Sequence, residues 1–518
     1  MKRFFRLIGI GIIVLLISIP IVSLAIEKDT LVVASPVDCR ILDPAVAVDN
    51  LDWRVTYYCY DRLVKYKVEN GVGLTVVEPM IATSWETSSD NKSWVFHLRK
   101  GIKFDDGNPL DAKAVKFTFD RILKVNKGPS SCFTDIESVN VIDDYTVQFK
   151  LKNPFAPFLS TLATNAASIV NPNIIKYEKN GDMAQGWLAE NIDGSGPFKM
   201  VEWQKDQRIV LEAKNNYWGE KPKLKKVIIQ VMNESTDQRM ALERGDVDIA
   251  AGILIDQTPT LEKNPRVAIK KFPSQLCNYV YINTQKDILS NSKVRQALCY
   301  AVDYDNIIKY VLKGYGLQMR GPIPKGMWGY SDKIFQFKRD IVKAKELLKE
   351  AGYPDGFSIE LMFSSSNPDW EQDALVIQSN MAEIGVNVKL QQYANPVMRD
   401  KIDRGDFDLC MGMWSPDFAD PYMFMNYWFD SKLFGLSGNR AFYKNEKVDE
   451  LINTAAILSD REEREKLYFE AQKIVMEDSP YIFLYQAETI IPMRKEIKNF
   501  VFNPMLEKMY NFDSIYKD

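Results

Sequence analysis

Histidine is almost missing: the 518 residues contain one, His97. No Ser-His or Cys-His nucleophile pair can be built except through it, and it falls on the polar side of an alternating segment, where a solvated imidazole is the ordinary state. The six cysteines, at 39, 59, 132, 277, 299 and 410, are scattered and form no CxxC, so Cys/His metal spacing is also absent. Walker and dinucleotide glycine motifs are missing. Gly194-Ser195-Gly196-Pro197 lacks the Gly-Lys-Ser/Thr ending and precedes strand-like sequence, so it reads as a turn. There is no excess of positive charge: 66 Lys and Arg face 69 Asp and Glu, for a net charge of −3. That balance speaks against an electrostatic nucleic-acid binder. No stretch is of low complexity. Carboxylates are plentiful, so paired Asp/Glu chemistry is not removed by counting. What remains is a chain that looks like a binder, with no catalytic residue, metal ligand or cofactor site expected.

The length exceeds what a single core usually organises, so two lobes or more are expected. The 46% hydrophobic and 26% charged content is that of an ordinary globular chain. The N-terminus stands apart. Lys2, Arg3 and Arg6 precede a nearly unbroken apolar run over 7–26, Pro20 interrupts it, and Ser23-Leu24-Ala25 offers a small-x-small cleavage site. This predicts a secretory signal over 1–25 and an exported protein, in the periplasm or at the outer face of the cell membrane. The alternative is retention by an uncleaved N-terminal anchor, since the run is nearly long enough to span a bilayer. Cleavage would remove three cations and take the charge from −3 to −6. No lipidation-type cysteine directly follows the apolar run. Most cysteines are expected to be buried free thiols, because a chain with a large core has no need of disulfides.

Residues 404–421, RGDFDLCMGMWSPDFADP, read as a helix end, a tight turn at Gly405-Asp406, a short buried strand over 407–413, and a loop carrying Trp414, Asp417 and Asp420. In an open α/β sheet, ligands gather outside the carboxyl ends of the strands. Trp414 and Asp417 therefore form a candidate site, an aromatic platform beside a fixed negative charge. RGDVDI at 244–249 echoes RGDFDL at 404–409. Two helix-turn-strand units of one design predict two lobes of similar build with a ligand between them. Around these units, 31–35, 227–231 and 247–250 read as buried strands, 199–203 with 207–213 as a hairpin, and 234–243 as a helix. A helix is expected within 49–65, with Trp53, Tyr57, Tyr60 and Leu63 on one face. Residues 93–99 alternate, with Trp94, Phe96 and Leu98 inward. Asp111 is placed to cap the next helix. Residues 139–151 read as two short strands, and a helix is expected to start at 154–158. The stretch 276–283 is read as the first crossing into the second lobe. Helices follow over 292–304, 305–312, 341–351, 369–384, 448–457 and 460–476, with strands over 358–363 and 386–391. Residues 481–485 read as the strand returning to the first lobe.

Residues 82–122, ATSWETSSDNKSWVFHLRKGIKFDDGNPLDAKAVKFTFDRI, carry a Trp-containing strand followed by LRxGxxFxDGxPLxAxxVxF. In this the chain resembles the solute-binding proteins of the peptide/nickel family, which serve ABC importers (oligopeptide- and dipeptide-binding proteins). Residues 194–217 (GSGPF…NNYW), 294–303 (VRQALCYAVD) and 414–421 (WSPDFADP) match other family blocks, so the resemblance spans nearly all of the mature chain. It implies an α/β, two-lobe periplasmic-binding-protein-like fold with an extra subdomain on the first lobe. Lobe one would cover 26–275, including an inserted subdomain at about 76–193; lobe two would cover 276–484, and 485–518 would return to lobe one. It implies a monomeric receptor that captures peptides in the interlobe cleft and delivers them to a membrane permease. In peptide-binding members an Asp three residues after the Trp pairs with the ligand's α-ammonium group; here that is Asp417, with Trp414, Ser415 and Pro416 beside it. The loop at Val48 and Asp49 matches a ligand-contacting loop. Asp420, before Pro421, reads as a turn residue.

The chain departs from the dipeptide-specific pattern at one place. Those members carry an Arg-Pro-Tyr-like segment that fixes the ligand's carboxylate. Setting Asn367-Pro368 on the family's Asn-Pro puts Ser364, Ser365 and Ser366 there. With no Arg in that segment, longer peptides or an uncharged ligand are favoured. Two alternatives stay open: the same fold binding an oligosaccharide or other uncharged solute, and an exported hydrolase using a carboxylate pair.

Overall fold

A computed structural model describes residues 27–518. The signal or anchor expected at the N-terminus therefore lies outside the described residues. Among the described residues no helix is long and apolar enough to cross a membrane.

One mixed sheet of eleven strands runs through the whole molecule. From one edge the order is Val386–Tyr393, Phe357–Ser364, Leu409–Trp414, Val267–Ile282, Tyr481–Arg494, Ile249–Ala250, Thr30–Ser35, Lys226–Val231, Arg208–Ala213 and Phe198–Gln204, with Gly316–Gln318 paired to the side. The two ends of this order belong to different lobes, and among the described residues the Val267–Ile282 and Tyr481–Arg494 strands join them. Each lobe keeps its own core. The largest cluster draws on residues 277–485, and separate clusters lie on the other side of the crossings. A second, four-stranded antiparallel sheet is formed by Ala82–Thr87, Ser93–Leu98, Thr146–Leu151 and Ile136–Asp143. It packs with the Ala112–Val125 helix around its own core and is the extra subdomain. Trp94, Phe96 and Leu98 face that core, while His97 points outward, 3.9 Å from Glu86. Asp111 caps the helix, accepting from Lys113 N at 2.9 Å and Ala114 N at 3.1 Å.

The two RGD-x-D units are built alike. The Ser235–Arg244 helix ends at Gly245 (φ 92), and the Asn395–Asp403 helix ends just before Gly405 (φ 67); both glycines take the left-handed conformation that lets the chain turn into a strand. The second aspartate of each unit then ties its strand to a parallel neighbour. Asp248 Oδ2 accepts from Val32 N at 2.8 Å, and Asp408 Oδ2 accepts from Glu360 N at 2.9 Å.

The crossings are longer than the sequence pattern suggested. The first spans sixteen residues, Val267–Ile282, because Pro273 sits at a register shift between Pro273 and Cys277 where its missing N–H is not needed by the ladder. The return strand likewise continues from Tyr481 to Arg494. At the shift, the Ser274 hydroxyl donates to Ala487 O at 2.8 Å, and Gln486 Nε2 donates to Lys325 O at 2.7 Å.

Three helix expectations need correction. The helix within 49–65 covers only Asn50–Thr56, and Tyr60 and Leu63 lie beyond it. Gly194 and Gly196 pack against that next segment so closely that a Cβ on Gly194 would fall 2.0 Å from Cys59 O. The backbone there answers to this contact and not to helical periodicity. Residues 305–312 form one short helical turn and then a π-helical segment, Ile307–Val311. The helix expected at 154–158 begins only at Phe158. All six cysteines are free thiols, five of them buried.

Candidate functional site

The Leu409–Trp414 strand is central: it pairs antiparallel with the first crossing and parallel with Phe357–Ser364. Gly412 is required by close approach, since a Cβ there would lie 2.4 Å from Tyr281 Cε1 and 2.6 Å from Tyr279 Cε2. The strand delivers Trp414 at its carboxyl end. The indole stacks on Tyr427 with centroids 4.5 Å apart and planes 17° apart, and its Nε1 is enclosed without a hydrogen-bond partner. One ring face is thus already occupied.

Asp420 stakes down the loop that follows. The residue is 1% exposed, and both carboxylate oxygens are held by Arg464, which donates from Nη1 to Oδ2 at 2.9 Å and from Nη2 to Oδ1 at 2.7 Å. Oδ1 also accepts from Tyr422 N at 2.9 Å. Arg464 donates from Nε to Ala455 O at 2.8 Å, and its guanidinium lies 4.8 Å from the Trp328 ring centre. The turn residue of the sequence reading is therefore a buried ion-pair partner, and Arg464 is the residue that sequence reasoning missed. A mixed-charge helix face gave no sign that one of its arginines turns inward.

With the loop fixed, Pro416 is buried and Ser415 and Asp417 are exposed. Asp417 has no ion pair or side-chain hydrogen bond among the described residues. It is open to water, yet surrounding protein mass is dense enough that burial alone raises its carboxyl above the usual carboxylate range. Its charge is felt on the opposite lobe: the Cys132 thiol is pushed up to about 12, by burial first and by Asp417 second. The lobes also touch beside it. Phe155 of the first lobe packs edge-on against Phe418 (6.2 Å) and Tyr422 (5.3 Å), and Ala156 N donates to Ala456 O at 2.9 Å. Asp417 thus stands exposed, close to the contact between the lobes, with no counter-charge among the described residues.

Ser364, Ser365 and Ser366 come to the same sheet edge. Ser364 is buried at the end of its strand, with its Oγ 2.7 Å from Ser366 Oγ; Ser365 and Ser366 are exposed. Asn367 Nδ2 reaches Met413 Sδ at 3.7 Å, which joins this turn to the strand that carries Trp414. On the first lobe, Val48 is exposed and Asp49 spends its carboxylate capping the Asn50–Thr56 helix, accepting from Leu51 N at 2.9 Å. That loop is positioned by buried Asp43, which accepts from Arg121 Nη1 at 2.8 Å. A cavity of about 560 Å³ lined by Asp303, Arg320, Lys338, Arg339 and Gln486 lies near the crossings, apart from the Asp417 loop.

A sheet shared by two lobes and joined through two crossing strands is the architecture of a two-lobed solute-binding receptor. The chain belongs to the bacterial extracellular solute-binding proteins, family 5, whose middle region it matches over residues 76–435. It is similar to the probable D,D-dipeptide-binding periplasmic protein of Escherichia coli strain K12, with 45% identity over 505 residues, 97% of each chain. It is also similar to an ABC transporter-associated periplasmic binding protein of Helicobacter pylori, solved in complex with the peptide STSA. There the TM-score is 0.74 and the identity 31%, covering 94% of this chain and 98% of that one. The structure of a Haemophilus parasuis protein, HbpA2, superposes with a TM-score of 0.87 at 29% identity, covering 94% of this chain and all of the other. These relatives are binding proteins, and membership of the family places the protein outside the cytoplasm as a receptor for an ABC importer.

Proposed function

We propose that this receptor captures peptides by their free amino terminus and hands them to its permease. The observation that carries this is Asp417, a rigidly mounted carboxylate with no partner, beside Trp414 in the interlobe recess. The names of the relatives, a D,D-dipeptide binder and a protein solved with a tetrapeptide, support the same ligand class. An ammonium group from the ligand would compensate the carboxylate, and lobe closure would strip water from the pair. Removing one partner of such a buried pair costs about 3–5 kcal/mol, more than about a hundredfold in affinity.

In this reading Ser415, Pro416, Ser365 and Ser366 line the recess from lobe two. Val48 faces it from lobe one, and Asp49, its side chain committed to a cap, contributes backbone only. An extended ligand would gain the rest of its affinity from main-chain hydrogen bonds. Lobe one is assigned to 26–275 with the insert at about 76–193, lobe two to 276–484, and the return to 485–518. The separate cores and the two crossings support that division. The register shift at 273–277 is the hinge. The protein acts as a monomer released by cleavage after Ala25. An oligosaccharide would leave Asp417 uncompensated, and a hydrolytic carboxylate pair is not formed at this loop because Asp420 is taken by Arg464.

Calorimetric titration of the mature chain with a dipeptide pool, in parent and Asp417→Asn forms, tests the reading. A loss of about a hundredfold or more is expected. Equal affinities would rule out the amine anchor.

A further inference from the structure

The first lobe buries a guanidinium that has no carboxylate partner. Arg62 lies where the chain leaves the Asn50–Thr56 helix for the Val64–Glu69 strand, and 2% of it is exposed. Its guanidinium carbon sits 3.5 Å from the centre of the Tyr57 ring. Nη1 donates to Tyr57 O at 3.0 Å and, at the limit, to Tyr60 O at 3.5 Å. Nε is enclosed with nothing to donate to. Neighbouring Asp61 is spent elsewhere, accepting from Ser195 Oγ at 2.8 Å, the Tyr217 hydroxyl at 3.0 Å and Trp218 Nε1 at 2.8 Å. Other buried arginines are satisfied differently. Arg121 and Arg464 each hold an aspartate, while Arg54 and Arg295 give Nε to a main-chain carbonyl. Arg62 does neither.

A cavity of about 100 Å³ opens against it. Tyr57, Tyr58, Tyr66 and Tyr217 form one side, and Leu506 and Met509 of the C-terminal return close the other. The return is fixed in place there. Asn503 Nδ2 donates to Leu74 O at 3.1 Å, Asn511 Oδ1 accepts from Val501 N at 2.9 Å, and the Tyr58 hydroxyl donates to Met509 O at 3.3 Å. The four phenols bring no negative charge at neutral pH, since burial holds each above the ordinary tyrosine range. Lys65, also at the cavity, adds a second cation and shares it with Glu78 at 3.4 Å. Asp513 of the return is exposed and makes no ion pair among the described residues. A guanidinium enclosed among aromatic and apolar walls is unfavourable until an opposite charge reaches it. The cavity has room for a monatomic ion with water beside it.

We propose that this cavity binds a small monovalent anion of the halide class, chloride in the medium of an exported protein, on the N–H groups that Arg62 does not spend on carbonyls. One guanidinium balances one negative charge; a phosphate or sulfate dianion would leave charge in excess among the rings. The ion bridges the 57–66 segment and the C-terminal return, so it acts as a clamp on the last stretch of the chain. Every wall of the cavity belongs to the first lobe and that return, so the inference is independent of the peptide reading.

The experiment melts the mature chain in sodium chloride, sodium bromide and sodium gluconate at one ionic strength, as parent, Arg62→Met and Lys67→Gln. The last removes an exposed cation of the same strand that pairs with Glu69. Parent crystals grown in bromide are measured for anomalous scattering. Chloride and bromide should raise the parent's melting temperature above its value in gluconate, by about two degrees for each tenfold rise in halide beyond the dissociation constant. A bromide peak should lie within hydrogen-bond distance of Arg62. Lys67→Gln should keep the halide effect and Arg62→Met should lose it. Equal melting of the parent in the three salts, or a halide effect kept in Arg62→Met, overturns the proposal. Should Arg62→Met fail to fold, the bromide map decides: a cavity that holds water and no anomalous peak overturns it as well.

Discussion

Asp373 makes stability depend on pH in a way that one substitution should abolish. It lies on the Pro368–Ala382 helix with no exposed surface, and the Tyr485 hydroxyl of the return crossing donates to its Oδ2 at 2.8 Å. The other oxygen, Oδ1, has no partner. Burial pushes the carboxyl up to about 7, with the Tyr485 bond pulling it back and Asp369 adding to the rise. In the unfolded chain it would titrate near 3.9. Between those values the folded protein keeps a proton that the unfolded chain has lost, so stability falls as pH rises from about 4 to 7 and the full penalty applies above that. Three units at 1.36 kcal/mol each set the penalty at about 4 kcal/mol, an order-of-magnitude figure. Asp373→Asn keeps an acceptor for Tyr485 and carries no charge at any pH. Urea unfolding midpoints of parent and variant, taken from pH 4 to 8, provide the assay. Other raised carboxyls, Asp417 among them, contribute equally to both proteins and drop out of the difference. The variant is expected to be the more stable at pH 8 and to match the parent at pH 4. Curves that stay parallel across the range would refute a buried, proton-retaining Asp373.

Two further substitutions test the packing. Asp420→Ala leaves Arg464 buried and unpaired and should lower stability by about 3–5 kcal/mol, whereas Asp420→Leu with Arg464→Leu should recover most of it; a single-site loss below about 1 kcal/mol in chemical denaturation would contradict the pair's burial. Gly356→Ala places a Cβ 1.9 Å from Gly385 O at a residue with φ of 76°. It should cost at least about 2 kcal/mol, read as a fall in melting temperature, and an unchanged melting temperature would show that the two turns separate easily.

Much of this was legible in the chain because it is written locally. Asp111 announces its cap by residue type and place, and Gly245 and Gly405 announce helix ends that demand the left-handed conformation. The echo of RGDVDI in RGDFDL reflected a real repeat, down to the aspartates that bond into neighbouring strands. What stayed hidden depends on partners distant in sequence. Tyr57, Tyr60 and Leu63 have helical spacing, but the chain near Cys59 yields to Gly194 and Gly196. The first crossing is read from the sequence only over 276–283, because its earlier half is tied in by the return strand across a register shift at Pro273. Asp420 looks like any turn aspartate until Arg464 is brought beside it.

The stake formed by Arg464 under the Asp417 loop has a kinetic corollary. Arg464, Asp417 and Trp414 all belong to the same half of the molecule, so a hinge motion at the crossings would leave their mutual spacing unchanged. On the proposed reading, a ligand would dock against a loop that is already set. The bulged crossings and the charge on the loop would then together set residence time, the quantity through which most affinity differences act.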